Sequence, residues 1–251
     1  MDFQLMQGDC LELMRDLPDA SVDLILCDLP YGSTQCLWDT VIPFGPLWEQ
    51  YLRVAKRNAA IVLHAAQPFT SALVMSNPSI FKYEWIWEKG HATGHLNAKK
   101  QPLRAHESVV VFYRGQPTYN PSMTHGHERK TATKRGDKTE VYGEQSLAPL
   151  AYDSTSRYPR SVQRISSDKQ KTALHPTQKP VALAEYLVRT YTNEGDLVLD
   201  NCMGSGTTGV ACLNSGRRFV GMEKDEGYFE CAKSRIHKTA LHYAMYPKEE
   251  F

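Results

Sequence analysis

The first residues that could do chemistry form a short turn, Asp28-Leu29-Pro30-Tyr31, directly after the apolar run at 22–27. Pro30 biases Leu29 towards an extended backbone, which fixes the direction of the Leu29 carbonyl. A carboxylate and a carbonyl in one rigid turn can accept both hydrogens of an exocyclic amino group, while the ring of Tyr31 can stack on a planar base. The alternative interpretation is an ordinary strand-ending turn that carries an acid by chance.

The second candidate is the glycine loop Gly-Ser-Gly-Thr-Thr-Gly at 204–209, between an apolar run that ends at Asp200 and a segment with helical spacing. Glycines allow a ligand to approach the backbone closely, and a helix N-terminus offers unpaired N–H groups. Glu223 ends the next apolar run, where an acid can accept both hydroxyls of a ribose. This combination predicts an adenosine-containing cofactor. A dinucleotide is the minority interpretation, because fewer than 30 residues follow Glu223.

The elements that must position these residues alternate along the chain. Short apolar runs predict buried strands, and apolar residues at helical spacing predict helices between them. We therefore expect an α/β fold with a mostly parallel, doubly wound sheet of about seven strands and helices on both faces. The predicted strands are 3–7, 22–27, 59–65, 83–88, 107–113, 196–200 and 218–222, and the predicted helices are 46–56, 182–191, 207–215 and 226–236.

Residues 115–174 lack this core pattern, and we expect them to form a basic, loop-rich insertion outside the main sheet. The net charge of +1 hides a basic middle, since residues 89–179 carry 16 basic and 7 acidic side chains. Such a segment is either a solvated surface or a patch that neutralises phosphates. Its candidate phosphate or base contacts are Lys99, Lys100, Arg104, Arg129, Lys130, Lys134, Arg135, Arg157, Arg160 and Arg164.

Several classes of protein are not expected. No apolar run approaches the roughly 20 residues that a membrane span needs, and the N-terminus does not resemble a secretory signal. The six cysteines never form a C-x-x-C pair, which favours reduced thiols in a cytoplasmic protein without bound metal. His125 and His127 lack a third ligand at metal spacing, so we expect them to be solvent-exposed, and Cys27 to be a buried packing residue.

At these motifs the chain resembles the β-class amino DNA methyltransferases. Asp28-Leu29-Pro30-Tyr31 resembles their D-P-P-Y motif, and the segment from Asp200 to Thr208 resembles their D-x-F-x-G-S-G-T-T loop. The segments 175–180 (His-Pro-Thr-Gln-Lys-Pro) and 8–10 (Gly-Asp-Cys) resemble two further family positions, in the permuted β-class order. Leu29 and Met203 depart from the family pattern, but the first supplies a backbone carbonyl and the second remains apolar.

The resemblance implies a Rossmann-like methyltransferase domain made of residues 1–114 and 175–251, with 115–174 as the target-recognition region. It implies S-adenosyl-L-methionine as cofactor and double-stranded DNA as partner, in a bacterial or phage-type protein, either monomeric or a homodimer. The cofactor-binding residues would be Asp9, Cys10, Asp28, His175, Thr177, Lys179, Asp200, Gly204, Ser205, Gly206, Thr207 and Glu223.

The implied catalytic residues are Asp28, Leu29, Pro30 and Tyr31, which would hold a base flipped out of the duplex. An acid at position 28 usually accompanies adenine N6 methylation in this family, whereas serine usually accompanies cytosine N4 methylation. Cytosine N4, an RNA or a protein amide remain alternative substrates, and a non-catalytic DNA-binding protein is a remote one. Trp38 and Asp39 either line the base pocket or close its loop, and Trp85 and Trp87 are expected in the core.

Overall fold

The computed structural model describes residues 2–33, 36, 39–133, 151–166 and 178–246. The described parts of 1–120 and 161–251 form one compact unit, and those of 121–160 form a second. The described strands are β1 (Phe3–Gln7), β2 (Val22–Asp28), β3 (Ala55–Ala65), β4 (Phe81–Thr93), β5 (Arg104–Phe112), β6 (Lys130–Thr133), β7 (Ala151–Ser154), β8 (Val162–Ile165), β9 (Leu197–Asp200) and β10 (Arg218–Glu223). The described helices are α1 (Cys10–Leu13), α2 (Phe44–Val54), α3 (Phe69–Ser76), α4 (Val181–Tyr191), α5 (Thr207–Asn214) and α6 (Glu226–Met245).

The first unit contains an eight-stranded sheet in the order β1-β10-β9-β2-β3-β5-β4-β8. Its neighbours pair in parallel except at β5, which is antiparallel to both β3 and β4. The two motif-bearing strands β2 and β9 are neighbours although 172 residues separate Asp28 from Asp200. Their carboxyl ends therefore lie at one edge of the sheet, where ligands of doubly wound folds bind.

Both faces of the sheet are covered, as the apolar pattern predicts. On β2, Ile25 and Cys27 pack on the face with α1, α2 and α3, whereas Leu24 and Leu26 pack on the face with α4, α5 and α6. Alternate side chains of a strand point to opposite faces, so a strand covered on both sides is continuously apolar. The expected α/β fold is confirmed.

Two sequence expectations need correction. Among the described residues the sheet has eight strands rather than about seven, and the additional strand β8 comes from the stretch 115–174 that we expected to lie outside it. Main-chain pairing decides this, since β8 hydrogen-bonds alongside β4 from Ile86↔Val162 to Lys89↔Ile165. Its short, half-polar sequence Val-Gln-Arg-Ile carries little strand signal by itself. The second unit is accordingly shorter than the expected insertion.

The second unit holds a two-stranded antiparallel sheet of β6 and β7. Thr124 and Arg157 form an additional antiparallel bridge in it. Arg129 makes a bidentate pair with Asp153, with Nε–Oδ1 and Nη2–Oδ2 distances of 2.8 and 2.6 Å. Within the described part of the chain, no helix is both long and apolar enough to cross a membrane.

Candidate active site

The carboxyl edge of the sheet in the first unit opens into a cleft of about 940 Å³. It is lined by residues from both predicted motifs, which are far apart in the sequence but adjacent in the sheet. The predicted catalytic and cofactor-binding residues that line it are Asp9, Cys10, Asp28, Leu29, Pro30, Tyr31, Lys179, Asp200, Gly204, Ser205, Thr207 and Glu223. Arg104, a predicted DNA contact, lines it as well. The structure thus brings the turn and the glycine loop into one cavity.

Asp28 is the last residue of β2, and both of its carboxylate oxygens have partners. Tyr31 donates its hydroxyl hydrogen to Oδ1 at 2.8 Å, and Lys179 donates from Nζ to Oδ2 at 2.7 Å. The ring of Tyr31 stacks on Phe69, with centroids 5.1 Å apart and planes 25° from parallel. Each carboxylate oxygen has two acceptor positions, so Asp28 keeps one free lone pair on each oxygen for a further donor.

Lys179 belongs to a chain of alternating charges that the sequence did not reveal. Its Nζ lies 3.3 Å from Glu107 Oε2, and Lys89 Nζ lies 2.5 Å from Glu107 Oε1. Burial favours the neutral acid, but Lys179 and Lys89 outweigh it and lower the pKa of Glu107 to about 2. Likewise, burial disfavours the charged amine, but Asp28 and Glu107 outweigh it and raise the pKa of Lys179.

The antiparallel direction of β5 explains why this chain of charges forms. Glu107 lies near the start of β5 and Asp28 at the end of β2, so the reversed strand brings the acid to the same edge of the sheet. His64, paired with Asp28 in the β2–β3 register, is also at this edge. Its Nδ1 is buried without a partner among the described residues, and burial lowers the pKa of His64 to about 4, so its ring is neutral at pH 7.

The segment after Tyr31 is closed by Asp39. Its carboxylate accepts hydrogen bonds from the backbone N–H groups of Gly32 and Ser33, both at 2.8 Å. Gly32 has a φ of 65°, a conformation that favours glycine, and a Cβ there would lie 2.8 Å from Val41. Asp39 fits both interpretations, because it closes the loop through these hydrogen bonds and also lines the cleft.

On the other side of the cleft, Asp200 ends β9 in a buried position. Its Oδ1 accepts from the Cys202 backbone N–H at 3.1 Å. Burial raises the pKa of Asp200 to about 7, against the lowering effect of its hydrogen bonds from Thr208 and Cys202. Gly206 caps α5 with a φ of 76°, and a Cβ there would press on Ala232 and Ile236 of α6.

Glu223 ends β10 and is held by backbone donors. Oε2 accepts from the Gly204 N–H and Oε1 from the Asp225 N–H, both at 2.9 Å. Burial raises the pKa of Glu223, although these backbone hydrogen bonds oppose the rise. At Gly204 a Cβ would meet nothing within 4 Å, which leaves the backbone open to the cleft.

Asp9 and Cys10 reach the cleft from the loop after β1. Asp9 caps α1 by accepting from the Leu11 N–H at 3.0 Å, and its other oxygen lies 3.1 Å from Lys224 Nζ. Burial alone would raise the pKa of Asp9, but the hydrogen bond from Lys224 and the backbone donors lower it. Cys10 is buried against the core beside it.

Sequence reasoning missed two supports of the glycine loop. Arg235 of α6 donates to the Ser205 carbonyl and to Thr207 Oγ1, both at 3.1 Å. Tyr51 of α2 donates its hydroxyl hydrogen to Asn201 Oδ1 at 2.6 Å in a buried position. Neither is marked by its local sequence, because Tyr51 lies on the buried face of α2 and Arg235 is one of several polar residues of α6.

The predicted DNA contacts are divided between the two units. Lys99, Lys100 and Arg104 lie in or beside the connection between β4 and β5, rather than in the inserted stretch, and all three are exposed. Arg164 lies on β8 of the main sheet, 3.9 Å from Glu88.

The second unit contains Arg129, Lys130, Arg157 and Arg160. Lys130 and Arg160 are exposed, Arg129 is paired with Asp153, and Arg157 donates to the carbonyls of Ser154, Ser156 and Glu128. Five predicted site residues lie outside the described residues: Trp38, Lys134, Arg135, His175 and Thr177.

The structural interpretations of several other residues are confirmed. Trp85 and Trp87 are buried core residues, and His125 and His127 are exposed. Cys27 is buried, and this burial raises the pKa of its thiol to about 12, which makes it a poor nucleophile. No group of three or more potential metal ligands occurs among the described residues.

A doubly wound sheet with an acid-bearing turn and a glycine loop at one edge defines the class of Rossmann-like methyltransferases. The DNA methylase family of the N6/N4 type matches residues 22–234. The chain therefore belongs to the N6/N4 family of S-adenosylmethionine-dependent DNA methyltransferases.

The chain is also similar to individual DNA methyltransferases. The chain is 26% identical to "DNA adenine methyltransferase YhdJ" of Escherichia coli (strain K12), over 96% of this chain and 84% of that protein. The crystal structure of the M1.HpyAVI-SAM complex is 25% identical and superposes with a TM-score of 0.64, over 93% of this chain and 98% of that one. The fold is also similar to that of PvuII DNA methyltransferase (cytosine-N4-specific), with a TM-score of 0.66 at 17% identity over 97% of this chain and 92% of that one.

Proposed function

We propose that the protein is a site-specific methyltransferase that transfers a methyl group from S-adenosylmethionine to N6 of an adenine flipped out of duplex DNA. The observation that carries the proposal is Asp28, a carboxylate at the end of β2 that keeps acceptor positions free while facing the cleft. The similarity to a DNA adenine methyltransferase over 96% of this chain supports the choice of base.

The part of the cleft formed by Asp28, Leu29 and Tyr31, which we call the acceptor side because it would hold the base that accepts the methyl group, suits an aromatic amine. Asp28 and the Leu29 carbonyl are acceptors, and an amine that donates both hydrogens to them has its lone pair directed away from them. Lys179 and Tyr31 hold the carboxylate in place, so its orientation costs little when the base arrives. The ring of Tyr31 stacks on Phe69 and its centroid lies 5.6 Å from Lys179 Nζ, and it would contact the base while its hydroxyl group stays hydrogen-bonded to Asp28.

The part of the cleft formed by Asp9, Asp200, Gly204 and Glu223, which we call the donor side because it would hold the methyl donor, suits the cofactor. S-adenosylmethionine supplies an electrophilic methyl group on a positively charged sulfonium. Glu223 would accept hydrogen bonds from the ribose hydroxyls, and Asp9 would accept one from the adenine amino group. The open backbone at Gly204 would lie against the methionine part. Gln178 adds independent support, because its buried side-chain amide lines the cleft and has no hydrogen-bond partner among the described residues.

No side chain of this site needs to act as a nucleophile. Asp28 would orient the amino group, and positioning of the two reactants would supply much of the rate. The neutral ring of His64 beside Asp28 can accept a proton or pass it on once the methylated amine has become acidic. Lys179, which we expected to contact the cofactor, would instead hold Asp28 in place.

Cytosine N4 is the second candidate, supported by the fold similarity to a cytosine-N4-specific enzyme. Both amines are exocyclic and planar, so Asp28 could accept from either. The two bases differ in size, which makes the volume beside Tyr31 the deciding feature.

The test is transfer of a labelled methyl group from S-adenosylmethionine to duplex DNA, followed by digestion and separation of the nucleosides. We expect the label in N6-methyladenine. Label in N4-methylcytosine would overturn the choice of base, and label in RNA or protein but not in DNA would overturn the substrate class. No transfer to any substrate by the full-length protein would favour a non-catalytic DNA-binding protein.

A further inference from the structure

The connection between β4 and β5 carries exposed groups that the site described above does not use. The two strands pair antiparallel up to Thr93↔Arg104, and both strand ends line the cleft through Lys89, Thr93, Arg104 and Glu107. Residues 94–103 therefore project from the rim of the active-site cleft. We call residues 94–103 the rim loop.

The rim loop has a defined shape of its own. Gly94, with a φ of 91°, starts a 3₁₀ turn at His95–Asn97. Backbone hydrogen bonds from Asn97 to the Gly94 carbonyl at 3.0 Å and from Lys100 to the Asn97 carbonyl at 2.8 Å close the loop on itself. The loop is thus held by local bonds and not by packing against the core.

Charge on this hairpin has one sign. From Lys89 to His106 the sequence contains no aspartate or glutamate, and it contains Lys99, Lys100 and Arg104. All three of these cations are exposed. A surface of this kind complements a polyanion, and duplex DNA carries one phosphate charge per about 1.7 Å of helix axis.

Leu96 lies in the 3₁₀ turn of the rim loop. Its side chain is 91% exposed, the largest value among the large hydrophobic side chains that the structure shows as exposed. An isolated exposed leucine needs no explanation, but one held in a hydrogen-bonded turn of a basic loop at the edge of a base-binding cleft fits a partner with an anionic surface and an apolar interior. Stacked base pairs provide that interior, and leucine is one of the side chains that proteins insert between them.

We infer that Leu96 enters the base stack of the DNA at the target site and fills the space that the flipped base leaves, while Lys99 and Lys100 contact the flanking phosphates. This role rests on the proposed function, because it requires a base that leaves the duplex. Filling the space would prevent the base from returning to its partner and would raise the fraction of complexes with the base in the cleft.

The experiment first identifies the recognition sequence by sequencing methylated bases in the chromosome of an expressing host. Single-turnover methylation is then measured on two duplexes with that sequence, one fully paired and one with an abasic site opposite the target base. We expect Leu96→Ala to slow methylation of the paired duplex by roughly 10-fold or more, and of the abasic duplex by less than about two-fold, because the unpaired base leaves the stack at low cost.

Two matched variants serve as controls. Leu96→Met keeps an apolar side chain at this position and should retain most of the methylation rate on the paired duplex. Met75→Ala removes another exposed apolar side chain, on α3 outside the cleft, and should leave both rates unchanged. The double variant Lys99→Ala, Lys100→Ala should weaken binding equally on both duplexes and reduce the slope of log affinity against log salt by about two.

An equal loss for Leu96→Ala on the two duplexes, or no loss on either, would overturn the inference. Failure of the proposed function looks different, because the wild-type protein would then methylate neither duplex. Since the Leu96 side chain is exposed, a melting temperature close to that of the wild type is expected and excludes misfolding as the cause of a loss.

Discussion

The two sides of the cleft hold their acids in different ways. On the acceptor side, Asp28 and Glu107 are ion-paired with lysines at distances of 2.5–3.3 Å. On the donor side, Asp200 and Glu223 accept from backbone N–H groups instead, and neither is in an ion pair among the described residues.

This difference appears in the pKa values. The lysines lower the pKa of Glu107 to about 2, whereas burial raises that of Asp200 to about 7 and raises that of Glu223 as well. The acceptor side is neutralised by the protein, so it can take an uncharged base without a change of charge. On the donor side only the partly exposed acid Asp9 is paired with a lysine, Lys224. Among the described residues Asp200 and Glu223 have no such partner, which suits a cofactor that brings a positive charge with it.

The largest effect on turnover is expected from Asp28→Ala. The variant loses the carboxylate that orients the target amine, and we expect kcat to fall by about 1,000-fold, within the usual range for a positioned acid–base residue. Cofactor affinity, measured by calorimetry, should stay within a few-fold of the wild-type value. Glu49→Ala, which removes an exposed acid on α2, serves as the control. Near-normal turnover by Asp28→Ala would show that Asp28 does not orient the target amine.

A smaller effect is expected from Glu107→Gln, which leaves Lys179 and Lys89 without their shared carboxylate. Lys179 would lose its fixed position beside Asp28, and we expect kcat to fall by roughly 10-fold, the effect of about 1.4 kcal/mol on the barrier. Cofactor affinity should not change, because Glu107 serves the acceptor side only. A loss of cofactor affinity with an unchanged kcat would contradict the division of the cleft into two sides.

On the donor side, Glu223→Gln should weaken cofactor binding and leave turnover at saturation almost unchanged. A hydrogen bond to a charged group contributes about 1.5–3 kcal/mol, so we expect the cofactor dissociation constant to rise by roughly 10-fold or more. Isothermal calorimetry with S-adenosylmethionine measures this directly. An unchanged dissociation constant would exclude Glu223 as the ribose acceptor.

The last prediction concerns folding and not turnover. Because the folded state raises the pKa of Asp200 from 3.8 to about 7, this group stabilises the cofactor-free protein fully below about pH 4, and the contribution is lost as the pH rises to about 7. The loss amounts to about 4 kcal/mol at most. Asp200→Asn, which cannot ionise, should therefore gain stability relative to the wild type between pH 5 and pH 8.

Denaturant unfolding of both proteins, followed from about pH 3 to pH 8 so that both titrations are covered, provides the measurement. Glu107→Gln is the matched comparison and should show the opposite sign. Because the pKa of Glu107 is lowered, its contribution is present above about pH 4.5 and is lost as the pH falls towards 2. A stability difference between wild type and Asp200→Asn that does not vary with pH would show that Asp200 is charged throughout.

Much of this molecule could be predicted from local sequence. The apolar runs indicated seven of the eight strands in the main sheet, and the polar residues that follow two of them indicated both halves of the cleft. Asp28, Glu223 and the glycine loop were visible because each directly follows a strand or opens a helix, so their meaning depends only on neighbours in the chain. Strand β8 was not visible, because its four residues gain their conformation from pairing with β4.

The tertiary structure alone decided how Asp28 is held in the cleft. Glu107 and Lys179 are 72 residues apart and belong to segments with no shared pattern. They meet because β5 runs antiparallel to its neighbours, which places the start of one strand beside the ends of the others. Arg235 reaches the glycine loop for a similar reason, since the packing of α6 against α5 and not its position in the chain sets its partners.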